Sequence, residues 1–260
     1  LGQTLVDAVG VARRFVQRAL VAGYSVGAGP GPVDAFFAWR GALAAARGVG
    51  RLHVLTDDGP GARYSATELV AHALRGGADT LQIRDKSSTS DRARILLARG
   101  PVALCRAAGR TVIINDRADI ARALGADGVH VGPTDVDPIT ARQVVGPLGL
   151  VGATANTLEA ALAIPRHTVD YLGVGPVFGT TSKRNPAPTL GLDGLRAITE
   201  AVRLPVIAIG AISPANALEV LRAGAAGLAV IAAVARADDP EATTRAFRDV
   251  LDTFFAGVHP

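Results

Sequence analysis

From residue 51 onward, short apolar runs rich in β-branched residues alternate with longer stretches in which apolar residues recur at helical spacing. A short apolar run indicates a buried strand, and a 3.6-residue period indicates an amphipathic helix. Eight candidate strands follow: Leu52–Thr56, Thr80–Arg84, Thr111–Asn115, Gly128–Val131, Leu150–Thr154, Tyr171–Gly175, Val206–Ile209 and Leu228–Ala232. Candidate helices lie between them, for example at Ala66–Gly76, Arg117–Leu124, Thr157–Ile164, Gly194–Ala201 and Pro214–Ala223.

Strands that alternate with helices are joined by right-handed crossovers and run parallel. They form either a closed barrel or an open, doubly wound sheet. No Gly-x-Gly-x-x-Gly sequence follows the first strand, which disfavours the dinucleotide-binding form of the open sheet. Eight strand–helix units in about 200 residues also suit a small barrel. We therefore predict an α/β fold, a (β/α)8 TIM barrel over residues 51–260 with an N-terminal extension at residues 1–50.

The first 50 residues do not share the repeat. A stretch at residues 4–22 is rich in Ala, Val and Arg, and it could form an amphipathic helix or part of a targeting sequence. A Gly/Pro-rich stretch follows at residues 27–32. We favour a plain extension that is helical or partly disordered over a targeting sequence.

Composition and charge limit the partners and the location. The net charge is +4, but residues 1–50 hold five Arg against two Asp, so the rest of the chain is nearly neutral. Without a basic stripe interleaved with aromatic residues, we expect no nucleic-acid partner. No apolar run is long enough to cross a membrane. The single cysteine, Cys105, excludes an internal disulfide and is typical of a buried thiol in the reducing cytoplasm.

Polar residues at the C-terminal ends of barrel strands are candidates for an active site, because this face carries the site in such folds. The second strand ends in the sequence Gln82-Ile83-Arg84-Asp85-Lys86. Period-two geometry places Gln82, Arg84 and Lys86 on one face, stepping from the interior towards the mouth. An amide followed by two cations suits an anionic substrate that accepts hydrogen bonds. The alternative interpretation is a solvated, charged strand end.

Two carboxylates follow neighbouring strands. Asp116 comes after Asn115 at the end of the third strand, and Asp135 lies in the loop after the fourth. One or two carboxylates together with substrate phosphates usually bind Mg2+, so Asp116 and Asp135 predict a Mg2+ site. Asp85 and Asp119 are weaker candidates, because they could pair with nearby Arg or Lys residues or cap a helix. His130 alternates with apolar residues within the fourth strand, and we interpret it as a packed core residue.

The last three strands predict a second anion site. After the sixth strand, one loop holds three hydroxyls and a cation, contributed by Thr180, Thr181, Ser182 and Lys183. The seventh strand ends at Gly210 and the eighth at Ile231-Ala232, where backbone N–H groups commonly hold phosphate in this fold. Two anion sites indicate two phosphorylated substrates, or a pyrophosphate and a phosphate.

In their order along residues 52–234, these motifs resemble the thiamine-phosphate synthase family. The matching segments are Gln82–Lys86, Asn115–Arg117, His130–Gly132 with Asp135, Gly173–Phe178, and Thr180–Lys183. No single segment is specific, but the ordered set is. The family joins 4-amino-2-methyl-5-(diphosphooxymethyl)pyrimidine to a thiazole phosphate, which gives thiamine phosphate and pyrophosphate.

The resemblance implies a role for each residue. The pyrimidine diphosphate would contact Gln82, Ile83, Arg84, Asp85, Lys86, Asn115, Thr154 and Lys183. The thiazole phosphate would contact Thr180, Thr181, Ser182, Gly210, Ile231 and Ala232. Catalysis would involve Arg84, Lys86, Thr154 and Lys183, with Mg2+ held by Asp116 and Asp135. The partners would be these two small molecules, and a homo-oligomer is compatible with this reading of the chain.

The chain departs from the family pattern at several positions. Thr154 stands where a Ser is usual, and Asn156 where a His is frequent. Beside the predicted thiazole-phosphate site, Ala211 replaces a Gly and Ala232 replaces a Ser. A lost neutral hydrogen bond costs roughly 0.5–1.5 kcal/mol, so we expect weaker binding of the thiazole phosphate rather than none.

Two alternative functions remain open. A thiazole tautomerase-like isomerase would share the barrel, but such relatives tend to lose the pyrimidine-diphosphate residues that are retained here. A non-catalytic protein that binds thiamine precursors would fit the altered phosphate loops, but it would not need a pair of Mg2+ ligands.

Overall fold

A closed barrel of eight parallel strands forms the centre of the described part of the chain. The computed structural model describes residues 48–59, 61–179 and 188–257. The strands are β1 (Leu52–Leu55), β2 (Thr80–Ile83), β3 (Thr111–Asn115), β4 (Gly128–Val131), β5 (Leu150–Ala155), β6 (Tyr171–Val174), β7 (Val206–Ile209) and β8 (Gly227–Val230). Each strand pairs with the next one along the chain, and β8 closes the barrel against β1. The predicted (β/α)8 fold is confirmed.

Helices alternate with the strands. In the described ranges they are α1 (Ala66–Arg75), α2 (Asp91–Ala107), α3 (Ala118–Leu124), α4 (Pro138–Val145), α5 (Leu158–Ala163), α6 (Gly191–Ala201), α7 (Ala217–Arg222), α8 (Ala232–Ala235) and α9 (Pro240–Ala256). None of the helices in this part of the chain has the length and apolar character needed to cross a bilayer. The predicted extension lies outside the described residues, apart from residues 48–50.

Helix α1 shows how local sequence fixes these elements. Ser65 begins the helix, and its hydroxyl accepts a hydrogen bond from the Glu68 amide at 3.3 Å. The Glu68 carboxylate in turn accepts from the Ser65 amide at 2.9 Å. This capping box satisfies two amides that have no partner within the helix. Leu69, Val70 and Ala73 then form its buried stripe, which faces the barrel.

The core has two chemically different parts. Side chains that point outward from the strands, such as Val54 and Leu81, are buried against the helices and are apolar. Cys105 is buried in the same apolar layer, as predicted. The barrel interior instead contains buried polar side chains, including His53 and Gln82. Because such groups are costly to bury without partners, the interior is a candidate binding site.

Five predicted strand ends were wrong: β1, β2 and β6 end one residue earlier than predicted, β5 one residue later and β8 two residues earlier. Strand β2 ends at Ile83, so Arg84 already belongs to the loop. Strand β8 ends at Val230 rather than at Ala232. The backbone of Ile231 leaves the extended region (φ −117°, ψ −89°), and Ala232 begins the short helix α8. The apolar composition of this segment suits either element, so it could not fix the boundary.

Candidate active site

A cavity of about 370 Å3 extends from the barrel interior to the C-terminal ends of the strands. The predicted residues that line it are Gln82, Arg84, Asn115, Thr154, Gly210, Ile231 and Ala232. The structure therefore brings together residues assigned to the pyrimidine diphosphate and residues assigned to the thiazole phosphate. Two substrates that bind within one cavity can react with each other directly.

A chain of polar side chains crosses the interior of this cavity. Nε2 of His130 lies 2.9 Å from the hydroxyl of Thr154, and its Nδ1 lies 3.1 Å from the hydroxyl of Tyr171. Tyr171 also contacts the side chain of Gln82, and its burial raises the pKa of its hydroxyl well above the usual range. The interpretation of His130 as a packed core residue was wrong, because the side chain is half-buried and lines the cavity. Its alternation with apolar neighbours reflects the barrel interior instead.

Two glycines make room for the His130 ring. In the barrel register, His130 pairs with Gly152, and Gly152 pairs with Tyr171. A Cβ atom on Gly152 would lie 2.1 Å from Cζ of Tyr171 and 2.5 Å from Nδ1 of His130. A Cβ on Gly173 would lie 2.8 Å from Cε1 of His130. Distances this short are not tolerated in packed interiors, so both positions need glycine for the ring to occupy this place.

Carboxylates that follow β1 hold Arg84 at the wall of the cavity. Nη1 of Arg84 lies 3.6 Å from Oδ1 of Asp57 and 3.5 Å from Oδ1 of Asp58. Asp58 also accepts hydrogen bonds of 2.6 Å from the backbone amides of Lys86 and Ser87. Burial opposes ionisation of Asp58, but these amides together with Arg84 lower the pKa of its carboxyl. Asp58 thus joins the end of β1 to the loop after β2, and it fixes Arg84 in place.

A second cavity of about 260 Å3 lies beside the first, between the ends of β2 and β3 and the helices α2 and α3. The predicted residues that line it are Ile83, Asp85, Lys86, Asn115, Asp116 and Asp135. Asn115 lines both cavities. Lys86 does not continue the line of Gln82 and Arg84 into the main cavity, because the strand ends at Ile83 and the chain then turns.

Asp116 is the centre of this second cavity. Its carboxylate accepts hydrogen bonds from Nζ of Lys86 and from Nδ2 of Asn115. Its backbone has a φ of 66°, a left-handed conformation that Asp and Asn tolerate better than most residues. Asp135 contacts the same carboxylate, while its Oδ2 accepts from the Gly132 amide at 2.7 Å. Burial raises the pKa of Asp116; Lys86 lowers it, Asp135 raises it again, and the net direction is upward.

The adjacent carboxylates of Asp116 and Asp135 are a suitable site for a cation, because a cation would offset their mutual repulsion. In the chain outside residues 1–47, 60, 180–187 and 258–260, no group of three or more His, Cys, Asp or Glu side chains could hold a metal ion. A divalent ion here would need further oxygen ligands, and water or substrate phosphates commonly supply them to Mg2+. The donor set therefore fits Mg2+ bound together with an anionic substrate.

The opposite wall of the main cavity is formed by the turns after β7 and β8. Gly210 (φ 114°) and Ala211 (φ 47°) both have positive φ values. A Cβ on Gly210 would lie 2.5 Å from Cα of Pro176, so only glycine fits there. Ala211 holds a left-handed conformation that costs a residue with a Cβ roughly 1 kcal/mol. The four loop residues predicted after β6, Thr180, Thr181, Ser182 and Lys183, lie outside the described residues.

Sequence reasoning missed several residues of this site. Asp57 and Asp58 lie in the loop after β1, two and three residues beyond its end, and the rule applied to the other strand ends would have identified them. His53 and Tyr171 line the same cavity from β1 and β6. They carried no strand-end signal, because they occur at the beginning of their strands. Their inward direction follows from strand alternation, but their contact with each other depends on the closure of the barrel.

A closed barrel with cations and carboxylates at the C-terminal ends of its strands defines a TIM-barrel enzyme of the kind that binds anionic substrates. Residues 52–234 match the family model described as thiamine monophosphate synthase. The chain therefore belongs to the thiamine monophosphate synthase family, and the resemblance of the motifs is confirmed.

Individual relatives agree with the family. The chain is 47% identical over 203 residues to a thiamine-phosphate synthase from Roseiflexus castenholzii, and the aligned region covers 78% of this chain and 89% of the relative. It is 46% identical over 201 residues to one from Chloroflexus aurantiacus, covering 77% and 92% respectively. Among solved structures, a thiamine phosphate pyrophosphorylase from Pyrococcus furiosus matches with a TM-score of 0.72 and 36% identity, over 80% of this chain and 98% of that one.

Proposed function

We propose that this protein is a Mg2+-dependent transferase that synthesises thiamine phosphate from the pyrimidine diphosphate and the thiazole phosphate. The observation that carries the proposal is the arrangement of the two cavities. The main cavity lies within the barrel, has room for a ring and is lined by Arg84. The second cavity is lined by Lys86, Asp116 and Asp135, and Asn115 lines both. A pyrimidine ring in the first cavity would place its diphosphate at the second.

The reaction needs no strong base. The C–O bond between the pyrimidine methylene and the diphosphate breaks, and its electron pair leaves with pyrophosphate. The resulting methylene cation is stabilised by electron release from the aminopyrimidine ring. The lone pair of the thiazole nitrogen then forms the C–N bond of the thiazolium product, and no proton has to move. The protein must therefore stabilise the leaving group, align the two rings and exclude water.

The leaving group is assigned to Arg84, Lys86, Lys183 and the two carboxylates. When bound, Mg2+ would neutralise part of the charge that develops on pyrophosphate. Asp57 and Asp58 hold the Arg84 guanidinium in advance, so little reorganisation is needed when that charge appears. Lys86 contacts Asp116 and could exchange this contact for a phosphate oxygen.

The ring of the pyrimidine is assigned to the interior of the main cavity. Gln82 is only 4% exposed and lines this space together with Thr154. The hydroxyl of Thr154 is oriented by His130 at 2.9 Å, so it can present a fixed hydrogen-bonding group to the ring. The thiazole phosphate is assigned to Gly210, Ile231 and Ala232 on the opposite wall, and to the loop at 180–182. In this proposed arrangement the two rings would meet within the main cavity.

An assay with both precursors tests the proposal. The purified protein, supplied with the pyrimidine diphosphate, the thiazole phosphate and Mg2+, should release one pyrophosphate for each thiamine phosphate formed. Chelation of Mg2+ should abolish both products, and added Mg2+ should restore them. Formation of no thiamine phosphate would contradict the proposal. Isomerisation of a thiazole substrate without coupling would support the tautomerase alternative, and binding without either activity would support the precursor-binding alternative.

The remaining parts of the proposal concern partners and location. The two phosphorylated substrates are small molecules, and neither needs a nucleic-acid or membrane surface. A cytoplasmic location is part of the proposal, because the chain has a single cysteine, Cys105, and this cysteine is a free thiol. Association of several copies of the chain stays a prediction, to be checked by light scattering.

A further inference from the structure

His53 lines the main cavity, and its Nε2 has no hydrogen-bond partner. His53 lies on β1, is 1% exposed and lines the cavity beside Tyr171. The two rings meet edge to face with their centroids 5.4 Å apart. Nε2 is fully buried without a partner. A buried acceptor that stays unsatisfied is costly, and such groups in native proteins are often functional.

The hydrogen bonds of the other ring nitrogen fix the chemical character of Nε2. His53 makes hydrogen bonds to the backbone at Val49 and Gly50, and because Nε2 makes none, these belong to Nδ1. Backbone carbonyls accept, so Nδ1 carries the proton. Burial lowers the pKa of His53 to about 4, against smaller upward effects of these hydrogen bonds and of Asp79. The imidazole is therefore neutral at physiological pH, and its Nε2 carries an unpartnered lone pair on a residue that lines the cavity.

The proposed pyrimidine substrate offers one group that can satisfy this lone pair. Its ring nitrogens and its ionised diphosphate accept hydrogen bonds, and its methyl group is apolar. Only the exocyclic amino group donates. We infer that Nε2 of His53 accepts a hydrogen bond from the amino group of the pyrimidine, and that His53 is a further catalytic residue. This inference rests on the proposed function.

The assigned hydrogen bond would act on the rate more than on binding. As pyrophosphate departs, the ring becomes cationic and the amino group shares its positive charge. Its N–H then becomes a stronger donor, so the contact with His53 is tighter in the transition state than in the bound substrate. Interactions that strengthen only in the transition state raise kcat rather than lower KM. Charge-assisted hydrogen bonds are about twice as strong as neutral ones.

A second unpartnered acceptor in the same cavity does not carry the same argument. Oδ1 of Asn156 is also buried without a partner. Its amide can turn by 180° and offer the NH2 group instead, so it does not determine the ligand atom. The tautomer of His53 is determined by two backbone contacts, and its lone pair cannot be exchanged for a donor without breaking them.

The test compares His53→Phe with His72→Phe. Phenylalanine keeps a planar ring against Tyr171 but lacks the acceptor, and His72 lies on α1 outside both cavities. With both substrates saturating, His53→Phe should lower kcat about 10- to 100-fold, with KM for the pyrimidine diphosphate changed less than about fivefold. His72→Phe should match the wild type. An unchanged kcat in a folded His53→Phe variant would overturn the inference.

A binding experiment separates a contact with the amino group from a structural role. The probes are the monophosphates of the pyrimidine with and without its amino group. Monophosphates are used because phosphate is a poorer leaving group than pyrophosphate, so the probes stay intact during the binding measurement. Removal of the amino group should weaken binding to the wild type about tenfold, and binding to His53→Phe less than about twofold. Equal losses in the two proteins would place the amino group elsewhere, for instance at Asn156, and would overturn the inference.

If His53→Phe does not fold, an NMR measurement on the wild-type protein still tests the inference. In protein labelled with 15N-histidine, the Nε2 resonance of His53 should shift when the amino-bearing probe binds, and should not shift with the probe that lacks the amino group. Identical shifts would overturn the inference. A wild-type protein that makes no thiamine phosphate would refute the proposed function itself. An active wild type with insensitive His53 variants would refute only the role of His53.

Discussion

Replacement of Asp116 by asparagine should separate catalysis from stability. Asparagine has the same shape and tolerates the left-handed φ of 66° at this position, whereas alanine would add roughly 1–2 kcal/mol of backbone strain. The change removes one of two adjacent carboxylates and leaves Lys86 without its partner. In the proposed mechanism it removes a ligand of Mg2+ and weakens stabilisation of the leaving group.

The two effects of Asp116→Asn have opposite expected signs. Loss of one preorganised electrostatic contact costs catalysis about 3–4 kcal/mol, so kcat should fall about 100- to 1,000-fold. Stability should not fall. The pKa of Asp116 is raised in the folded protein, chiefly by burial, so its carboxyl favours folding only at acidic pH and opposes folding as pH rises through the folded-state pKa. At pH 7 without Mg2+, the neutral amide should be as stable as the carboxylate or more so.

Pyrophosphate release measures the first effect, and urea denaturation with chelator measures the second. The control is Asp119→Asn, the same chemical change three residues away. Asp119 is exposed, pairs with Arg117 and lines neither cavity. This variant should keep wild-type activity and lose no more than about 1 kcal/mol of stability. Substantial activity in Asp116→Asn would show that Asp116 is not a metal ligand. An unfolded variant would show that its carboxylate has a structural role.

Three further predictions concern the barrel interior and its walls. Ala211→Gly should stabilise the protein by about 0.5–1 kcal/mol in urea denaturation, because it relieves a positive φ of 47°; an unchanged midpoint would argue against strain there. Gly152→Ala should destabilise by about 1–3 kcal/mol and lower activity, because its Cβ would meet Tyr171 at 2.1 Å; wild-type stability would show that the ring can move aside. Between pH 6.5 and 4, the unfolding free energy of the wild type should fall by about 3 kcal/mol more than that of His53→Phe. The reason is that His53 binds a proton in the unfolded chain over this range, whereas in the folded protein it stays neutral down to its pKa of about 4. Parallel pH profiles of the two proteins would contradict this.

The order of the elements and much of the site could be predicted from the sequence. Period-two alternation placed Gln82 inside the barrel, and strand ends located Asn115 and Asp116. These inferences succeed because the C-terminal ends of all strands in a parallel barrel lie on the same face of the fold. The same reasoning failed beyond the strand ends. It placed Lys86 in line with Arg84, but the loop geometry after Ile83 directs Lys86 into the second cavity.

Contacts across the barrel could not be predicted in the same way. The approach of His130 to Tyr171 depends on the register of three strands and on Gly152 between them. Gly173 likewise makes room for the His130 ring, a requirement that only the folded barrel reveals. The unpartnered Nε2 of His53 is likewise a consequence of packing, and no sequence pattern records it. Such features follow from tertiary geometry alone.

A crystal structure of the protein with Mg2+ and pyrophosphate tests the central claim most directly. We predict one Mg2+ ion bound by Asp116, Asp135 and pyrophosphate oxygens, with Lys86 turned from Asp116 to the phosphate and Arg84 beside it. Pyrophosphate bound away from the ends of β2, β3 and β4, or a Mg2+ ion that contacts neither carboxylate, would contradict the assignment of the leaving-group site.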